Sequence, residues 1–493
     1  MVYKDKDLYK AFFGSALLTC LGVYLLGRPL MNHLSDSFSK IIMTDPYNEN
    51  LWEFYSAAKR TSLQTIVETN LRSQEGKLLS RPFGSPKKFP NTNDLMFSPA
   101  QLNVLPTAEN VPVDTKVILG PQAYKPLVIE MPIIVSGMAF SLALTEKAKI
   151  ALAQGASLAG TATNSGEGPY LPAERAAADR YILQYDRGDR NHEAHILQQA
   201  DMIEIQIGQG GIGGIGHATV YKDLPPKARR LLHLDYGQEE ITHAHVSGVK
   251  DPEVDLPLLI NRLRDLTGGV PIGVKIAAGQ SLEKDLQILI DSGTDFIALD
   301  CAEAATKGSP PILQDDFGVP LVYAVNRAAN YLKSQGVKDK ITLLAGGGLF
   351  TPGAFLKALA LGADAVYIGS IALFAMAHTQ VLKALPWEPP TQVVWAQSRY
   401  GHKLNIKKGA QNLANFLHAC NEEIKEGVRA MGKTSIRDVR KEDLFSLDPL
   451  LGQTIGVPSA FESCLDNRPG KMTKKTGGLP KEEQGIIKME SHK

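Results

Sequence analysis

Between about residues 130 and 370 the chain alternates short apolar runs with amphipathic stretches. That rhythm marks βα units and restricts the segment to parallel-sheet architectures. Eight strand candidates are read: Pro132–Ser136, Ser157–Thr161, Met202–Gly208, Ile241–Val246, Ile272–Ala277, Phe296–Asp300, Ile341–Ala345 and Ala365–Gly369. Helical patterns such as LTEKAKIALAQG, SLEKDLQILIDSG and TPGAFLKALALGA fall between them, several ending in a glycine that stops the helix. Eight such units in about 250 residues match an α/β fold of one kind, a closed parallel (β/α)8 TIM barrel. An open doubly wound sheet is the alternative, but its first βα turn should carry GxGxxG and this one reads SGMAFS.

The flanks read differently. Ala11 to Gly27 is an uncharged, mostly apolar run, spanning as a helix roughly 25 Å, just short of a bilayer core unless Tyr9 and Leu30 contribute. The expectation is a membrane helix within residues 1–30, with the barrel on the cytosolic side. A signal peptide and a buried or docking helix are the alternatives, although Arg28-Pro29 follows the run rather than a small-residue cleavage site. Residues 31–125, punctuated by Pro, Asn and Ser, read as an irregular linker, and 126–400 as the barrel. Residues 401–465 read as a C-terminal helical extension, and the Lys-, Gly- and Glu-rich 466–493 as a disordered tail.

A formal net charge of +1 gives no reason to expect a nucleic-acid partner. The four cysteines, Cys20, Cys301, Cys420 and Cys464, are far apart and form no CxxC pair, which argues against a metal or disulfide framework. His217, His243 and His245 lack metal-ligand spacing, so no metal site is expected.

The candidate site sits where strands end. Gly346, Gly347 and Gly348 follow strand seven, a helix opens at Thr351-Pro352-Gly353, and Gly369-Ser370 closes strand eight. Barrels bind phosphates at this place through backbone N–H groups and a short helix N-terminus. A tight turn is the alternative for the glycine triplet alone. The loop Gly208 to His217 is the most glycine-rich stretch and carries no Lys or Arg. Lys275 lies inside an apolar strand, which is costly unless it meets a polar partner or a ligand. Asp300 and Glu303 end strand six, placed for binding, proton transfer or helix capping. Thr163, Asn164, Ser165 and Glu167 form either a ligand-facing turn or a cap.

The segments SGMAFSLALTEKA, AGTATNSGEG, DMIEIQIGQGG, GVKIA, DCAEAATKGSP and LLAGGGLFTPGAFLKALALGADAVYIGSIAL resemble, in order, the FMN-binding synthase domain of glutamate synthase. QNLANFLHACNEEIKEGVRAMGKTSIRDV is similar to the helix after that barrel. The resemblance implies FMN held by Ser136, Met138, Thr163, Gln209 and Lys275, with Gly346, Gly347, Gly348, Gly369 and Ser370 around the phosphate. It implies catalytic roles for Lys275, Glu303 and Gln209, and reductive amination of 2-oxoglutarate to glutamate through an imino acid.

The chain departs from that pattern. Gln206, Ile212 and Ile215 stand where the family has Lys, Lys and Glu, and Ala304-Ala305-Thr306-Lys307 replaces GGTG. His378, Ala384 and Pro389 occupy the positions of the iron–sulfur cysteines, so no cluster is expected there. With Met1-Val2-Tyr3 at the start, no glutamine-hydrolysing Cys is expected, leaving ammonia to come from solution or a partner. Electrons would come from a nicotinamide or a redox protein. The expectation is a membrane-anchored FMN oxidoreductase acting on a small 2-oxo or amino acid. A membrane-tethered scaffold built on a degenerate barrel is the second reading, and a phosphosugar isomerase or lyase the third.

Overall fold

The computed structural model describes residues 4–81, 84–304, 309–382 and 392–462. The chain divides into two units, Met1–Ser80 and Arg81–Lys493.

The first unit is helical: α1 (Lys4–Thr44), α2 (Leu51–Thr61) and α3 (Leu63–Glu75). The irregular reading of 31–125 therefore fails through Glu75. Asn50 and Ser62 cap α2 and α3 by accepting from Trp52 N and Thr65 N, and Gly76 ends α3 in the left-handed conformation. The anchor expectation is also overturned, because among the described residues no helix is long and apolar enough to cross a membrane. The apolar run falls short of the roughly 20 residues a bilayer needs. It forms part of a 41-residue helix whose other turns carry Lys4, Asp5, Lys6, Asp7, Arg28, Asp36 and Lys40. The single N-terminal pass with the barrel on one side of a membrane is overturned with it.

The second unit is a closed barrel of eight parallel strands. They are β1 (Ile133–Val135), β2 (Thr163–Asn164), β3 (Tyr181–Tyr185), β4 (Met202–Gln206), β5 (Ile272–Ala277), β6 (Phe296–Asp300), β7 (Thr342–Gly346) and β8 (Ala365–Ile368). Pairing of Val366 with Ile133 closes the ring. Helices α4 (Glu146–Leu158), α5 (Pro252–Thr267), α6 (Leu282–Asp291), α7 (Leu321–Ser334) and α8 (Pro352–Ala360) run between strands, and α9 (Ser370–Ala377) follows β8. The strands are buried on both faces, as helix-covered parallel sheets require. The long amphipathic helix α10 (Ile406–Ala430) packs its Gly409, Leu413, Leu417, Ile424 and Val428 face on α4, α8 and α9.

Two of the strand candidates are corrected. Ser157–Thr161 contains the end of α4, and the strand follows at Thr163–Asn164. Ile241–Val246 is no barrel strand: Glu239–Thr242 pairs antiparallel with His217–Val220 in a hairpin inserted between β4 and β5. The third strand is instead Tyr181–Tyr185, so the glycine-rich loop leaves the fourth strand rather than the third.

A second hairpin, Val117–Leu119 with Leu127–Ile129, lies at the N-terminal ends of the strands. There Gly120 N donates to Thr342 Oγ1 at 3.0 Å at the start of β7. That end is covered, which leaves the C-terminal mouth for chemistry, as in barrels generally.

Candidate active site

The barrel floor beneath the mouth is polar. Glu204, two residues before the end of β4, accepts from Asn164 Nδ2 at 2.9 Å, Gln184 Nε2 at 2.7 Å and Tyr367 OH at 2.7 Å. These four side chains come from β2, β3, β4 and β8, and all are buried. Burial and the neighbouring Glu204 carboxylate hold the Tyr367 phenol well above its ordinary range, so it stays a donor. Only Asn164 of this set was singled out from sequence. The signal was present in the others as lone polar residues inside apolar runs, in YILQY, MIEIQ and AVYI.

Lys275 stands above this floor on β5. It is 2% exposed, its Nζ lies 3.0 Å from Asp300 Oδ2, and it sits over the Tyr367 ring at 5.9 Å. Burial alone would depress the ammonium, but Asp300 and Glu204 outweigh it and raise the pKa, so Lys275 is charged. Burial pushes the Asp300 carboxyl up against the opposing pull of Lys275. The pair depends on a bare backbone next door, since a Cβ at Gly346 would stand 2.7 Å from Asp300 Oδ1.

Beside the pair is an open cradle. Gly348 adopts φ +62°, and Gly369 opens α9 without a side-chain cap. The N–H groups of Gly348, Gly369, Ser370 and Ile371 find no acceptor among the described residues. A Cβ built on Gly369 meets no heavy atom within 4 Å, so there is room where a side chain would stand at the start of α9. Uncapped N–H groups at a helix start, joined to a left-handed glycine, suit an anion.

The other sequence candidates fall as follows. Ser136 and Met138 are partly exposed after β1, with Ser136 N donating to Ile368 O. Thr163 is buried; it alternates with the inward-facing Asn164 and so faces away from the barrel interior. Gln209 closes a tight loop with Gly213 through paired backbone bonds of 3.1 and 2.8 Å and accepts from Gln206 Nε2 at 3.3 Å.

Glu303 lies against Gly348, but its carboxylate accepts from Leu321 N at 3.0 and 3.2 Å, capping α7. Burial raises its pKa to about 7. A carboxyl with a higher pKa in the folded chain favours folding when protonated. Its contribution is full below about pH 4.5 and is lost as pH rises through about 7. Glu303→Gln keeps the acceptor and removes the titration. It is expected to match the parent near pH 4 and exceed it by about 3 kcal/mol near pH 8, read from urea unfolding at both pH values.

The insertion after β4 is tied to the mouth by buried arginines. Arg187 makes two bonds of 3.1 Å to Glu167 and reaches Ile215 O at 3.4 Å. Arg190 bonds Asp186 at 2.9 Å and holds Glu240 and Thr242 of the hairpin. An open depression of about 820 Å³ lined by Tyr221, Arg229, Arg230 and His233 lies on this insertion and includes none of the candidate residues. Among the described residues no His, Cys, Asp and Glu grouping could hold a metal ion. Of the residues aligned with the iron–sulfur cysteines of the resemblance only His378 is described; Ala384 and Pro389, like Ala305, Thr306 and Lys307 after β6, lie outside the described residues.

Residues 86–434 match the family model described as the conserved region in glutamate synthase, which is well over half of the chain. The chain belongs to the glutamate synthase family. It is 28% identical over 432 residues to the glutamate synthase large subunit-like protein of Rhizobium meliloti, covering 83% of this chain and 96% of that one. It is 34% identical to the archaeal glutamate synthase [NADPH] of Archaeoglobus fulgidus over 65% of this chain and 62% of that protein. The chain thus spans nearly all of the Rhizobium protein but less than two thirds of the archaeal one. A solved flavocytochrome b2 variant with benzoylformate overlays at a TM-score of 0.49 and 17% identity, over 90% of this chain and 98% of its own.

Proposed function

We propose that this member of the glutamate synthase family is an FMN-dependent oxidoreductase that reductively aminates a 2-oxo acid, 2-oxoglutarate or a relative of it. The observation that carries the reading is the cradle at Gly348, Gly369 and the start of α9 beside the buried, charged Lys275. The cradle has free N–H groups and room where a side chain would stand, so it fits the phosphate of FMN.

Gly348, Gly369 and Ser370 would hold the phosphate, Ser136 and Met138 one edge of the ring, and Gln209 and Lys275 the other. FMN bound there supplies a hydride-transfer centre. Lys275 contributes a fixed positive charge beside it, and Asp300 keeps that ammonium in place. The Glu204 carboxylate beneath accepts from three buried donors and gives a rigid floor. Glu303, as a helix cap, fits a positioning role better than proton transfer.

In the overall reaction ammonia adds to the 2-oxo carbon and the carbonyl oxygen leaves as water. Two electrons and the accompanying protons complete the amino acid, while the donor is oxidised by the same two electrons. Relatives named glutamate synthase [NADPH] support a nicotinamide donor.

The test is an absorbance spectrum of the purified protein and identification of the pigment it releases on denaturation. A yellow protein releasing FMN, and glutamate formed from 2-oxoglutarate, ammonia and a reduced nicotinamide, is the expected result. A colourless protein that also refuses added FMN overturns the reading.

A further inference from the structure

We infer that the site selects a 2-oxo or 2-amino acid whose far end is neutral and donates a hydrogen bond, a terminal carboxamide being the fit, over a dicarboxylate. This rests on the oxidoreductase reading above and narrows its substrate.

The first observation is Gln206. It ends β4 beside Lys275 in register, two residues after Glu204, whose carboxylate lies inside the barrel. Strand alternation therefore sends Gln206 into the same interior, one layer nearer the mouth. The side chain is 0% exposed, yet its Oε1 has no hydrogen-bond partner, while its Nε2 donates to Gln209 Oε1 at 3.3 Å. A buried acceptor left without a donor is costly, and a ligand N–H would satisfy it.

The second observation is the charge around it. Each buried cation near the mouth already has a carboxylate: Lys275 has Asp300, Arg187 has Glu167, and Arg190 has Asp186 and Glu240. Glu204 is matched only by neutral donors, Asn164, Gln184 and Tyr367. With the buried pair of Lys149 and Glu174 at the end of β2 included, six buried carboxylates thus face four cations among the described residues near the mouth. The loop from Gly208 to Gly216 adds none, since its longer side chains are Gln209, Ile212 and Ile215.

A second ligand carboxylate entering this field meets acceptors and excess negative charge. A carboxamide of the same shape offers an NH2 donor and carries no charge. The carboxylate next to the reacting carbon is common to every 2-oxo acid and does not discriminate. A site built around an acceptor for a ligand N–H rejects the analogue lacking it far more strongly than an apolar pocket rejects an isostere.

The experiment titrates the purified full-length protein with glutamine, glutamate, 2-oxoglutaramate and 2-oxoglutarate, reading heat of binding and thermal shift, with FMN content measured on the same sample. The amide ligands are expected to bind at least about tenfold more tightly than the acids. Gln206→Leu should lose that preference without gaining the acids, and Gln206→Lys should reverse it, each with the parent's FMN content. If the parent binds the acids as well as or better than the amides, the inference is overturned while the oxidoreductase reading stands. If FMN is present and none of the four binds, the inference is again overturned. If FMN is neither present nor taken up, the proposed function fails and this inference with it.

Discussion

Lys149→Met is expected to destabilise the barrel by about 3–5 kcal/mol, the range for breaking a buried ion pair from one side. Lys149 projects from α4 into a site with no solvent exposure. Its ammonium donates to the carbonyl oxygens of Asn164 at 3.0 Å and Ser165 at 2.9 Å. Glu174 Oε1 completes the shell at 2.9 Å, in an ion pair that falls outside hydrogen-bond geometry. One side chain thus ties α4 to the mouth end of the two-residue strand β2 and to the short helix Pro172–Ala176.

Methionine matches the length of the stem but strands two carbonyls and a carboxylate. Burial already raises the Glu174 pKa to about 7 against the pull of Lys149, so the acid's contribution is lost as pH rises through that value. Removing the ammonium removes the opposing pull, and the Glu174 pKa climbs further. The defect should therefore be larger near pH 8 than near pH 5.5. Urea unfolding at constant m reads both. The double variant Lys149→Met with Glu174→Leu should recover a large part of the loss, because it removes the uncompensated charge. A single-variant loss below about 1 kcal/mol, or one independent of pH, would show that the pair is not a strut.

What could be read from the sequence follows from how local the cause is. The glycines that end β7 and β8 could be singled out locally because a tight turn or a close backbone approach needs glycine whatever surrounds it. Most barrel strands were legible because a parallel sheet covered by helices buries continuous apolar runs. Tyr181–Tyr185 was missed because Gln184 interrupts the run. That amide is tolerated only because Glu204 on the next strand accepts from it, a partner supplied once the barrel closes. Ile241–Val246 has real strand alternation, and Glu239–Thr242 is indeed a strand, but nothing local distinguishes a hairpin edge from a barrel stave.

The same limit applies within the site. Lys275 stood out as a cation in an apolar strand, yet its pairing with Asp300 follows from the register of β5 against β6 and from the missing side chain at Gly346. The membrane anchor was read from an apolar run of too few residues, in a helix whose other turns carry charges. Glu303 was placed correctly at the mouth, while its partner, the N–H of Leu321, lies 18 residues along the chain, beyond the reach of a local pattern.

Gly369→Leu should remove FMN from the protein while leaving the fold in place. The position is favourable for such a test because a Cβ there meets no heavy atom within 4 Å, and Gly369 has φ −113°, outside the left-handed region. The added side chain stands in open space at the start of α9, where the Gly369, Ser370 and Ile371 N–H groups have no acceptor among the described residues, rather than in the packed interior. A phosphate that relied on those groups would be displaced, and FMN affinity should fall at least about 100-fold, equivalent to roughly 3 kcal/mol. Thermal unfolding of the FMN-free forms of parent and variant should agree within a few degrees, as expected for a change away from packed or buried polar groups. Gly346→Ala provides the contrast, because its Cβ would press on Asp300 Oδ1 at 2.7 Å and disturb the Lys275 pair. Fluorescence titration of the FMN-free proteins distinguishes the two: Gly369→Leu should lose FMN without losing stability, and Gly346→Ala should lose stability too. Parent-like FMN binding by Gly369→Leu would place the phosphate elsewhere and remove the start of α9 from the site.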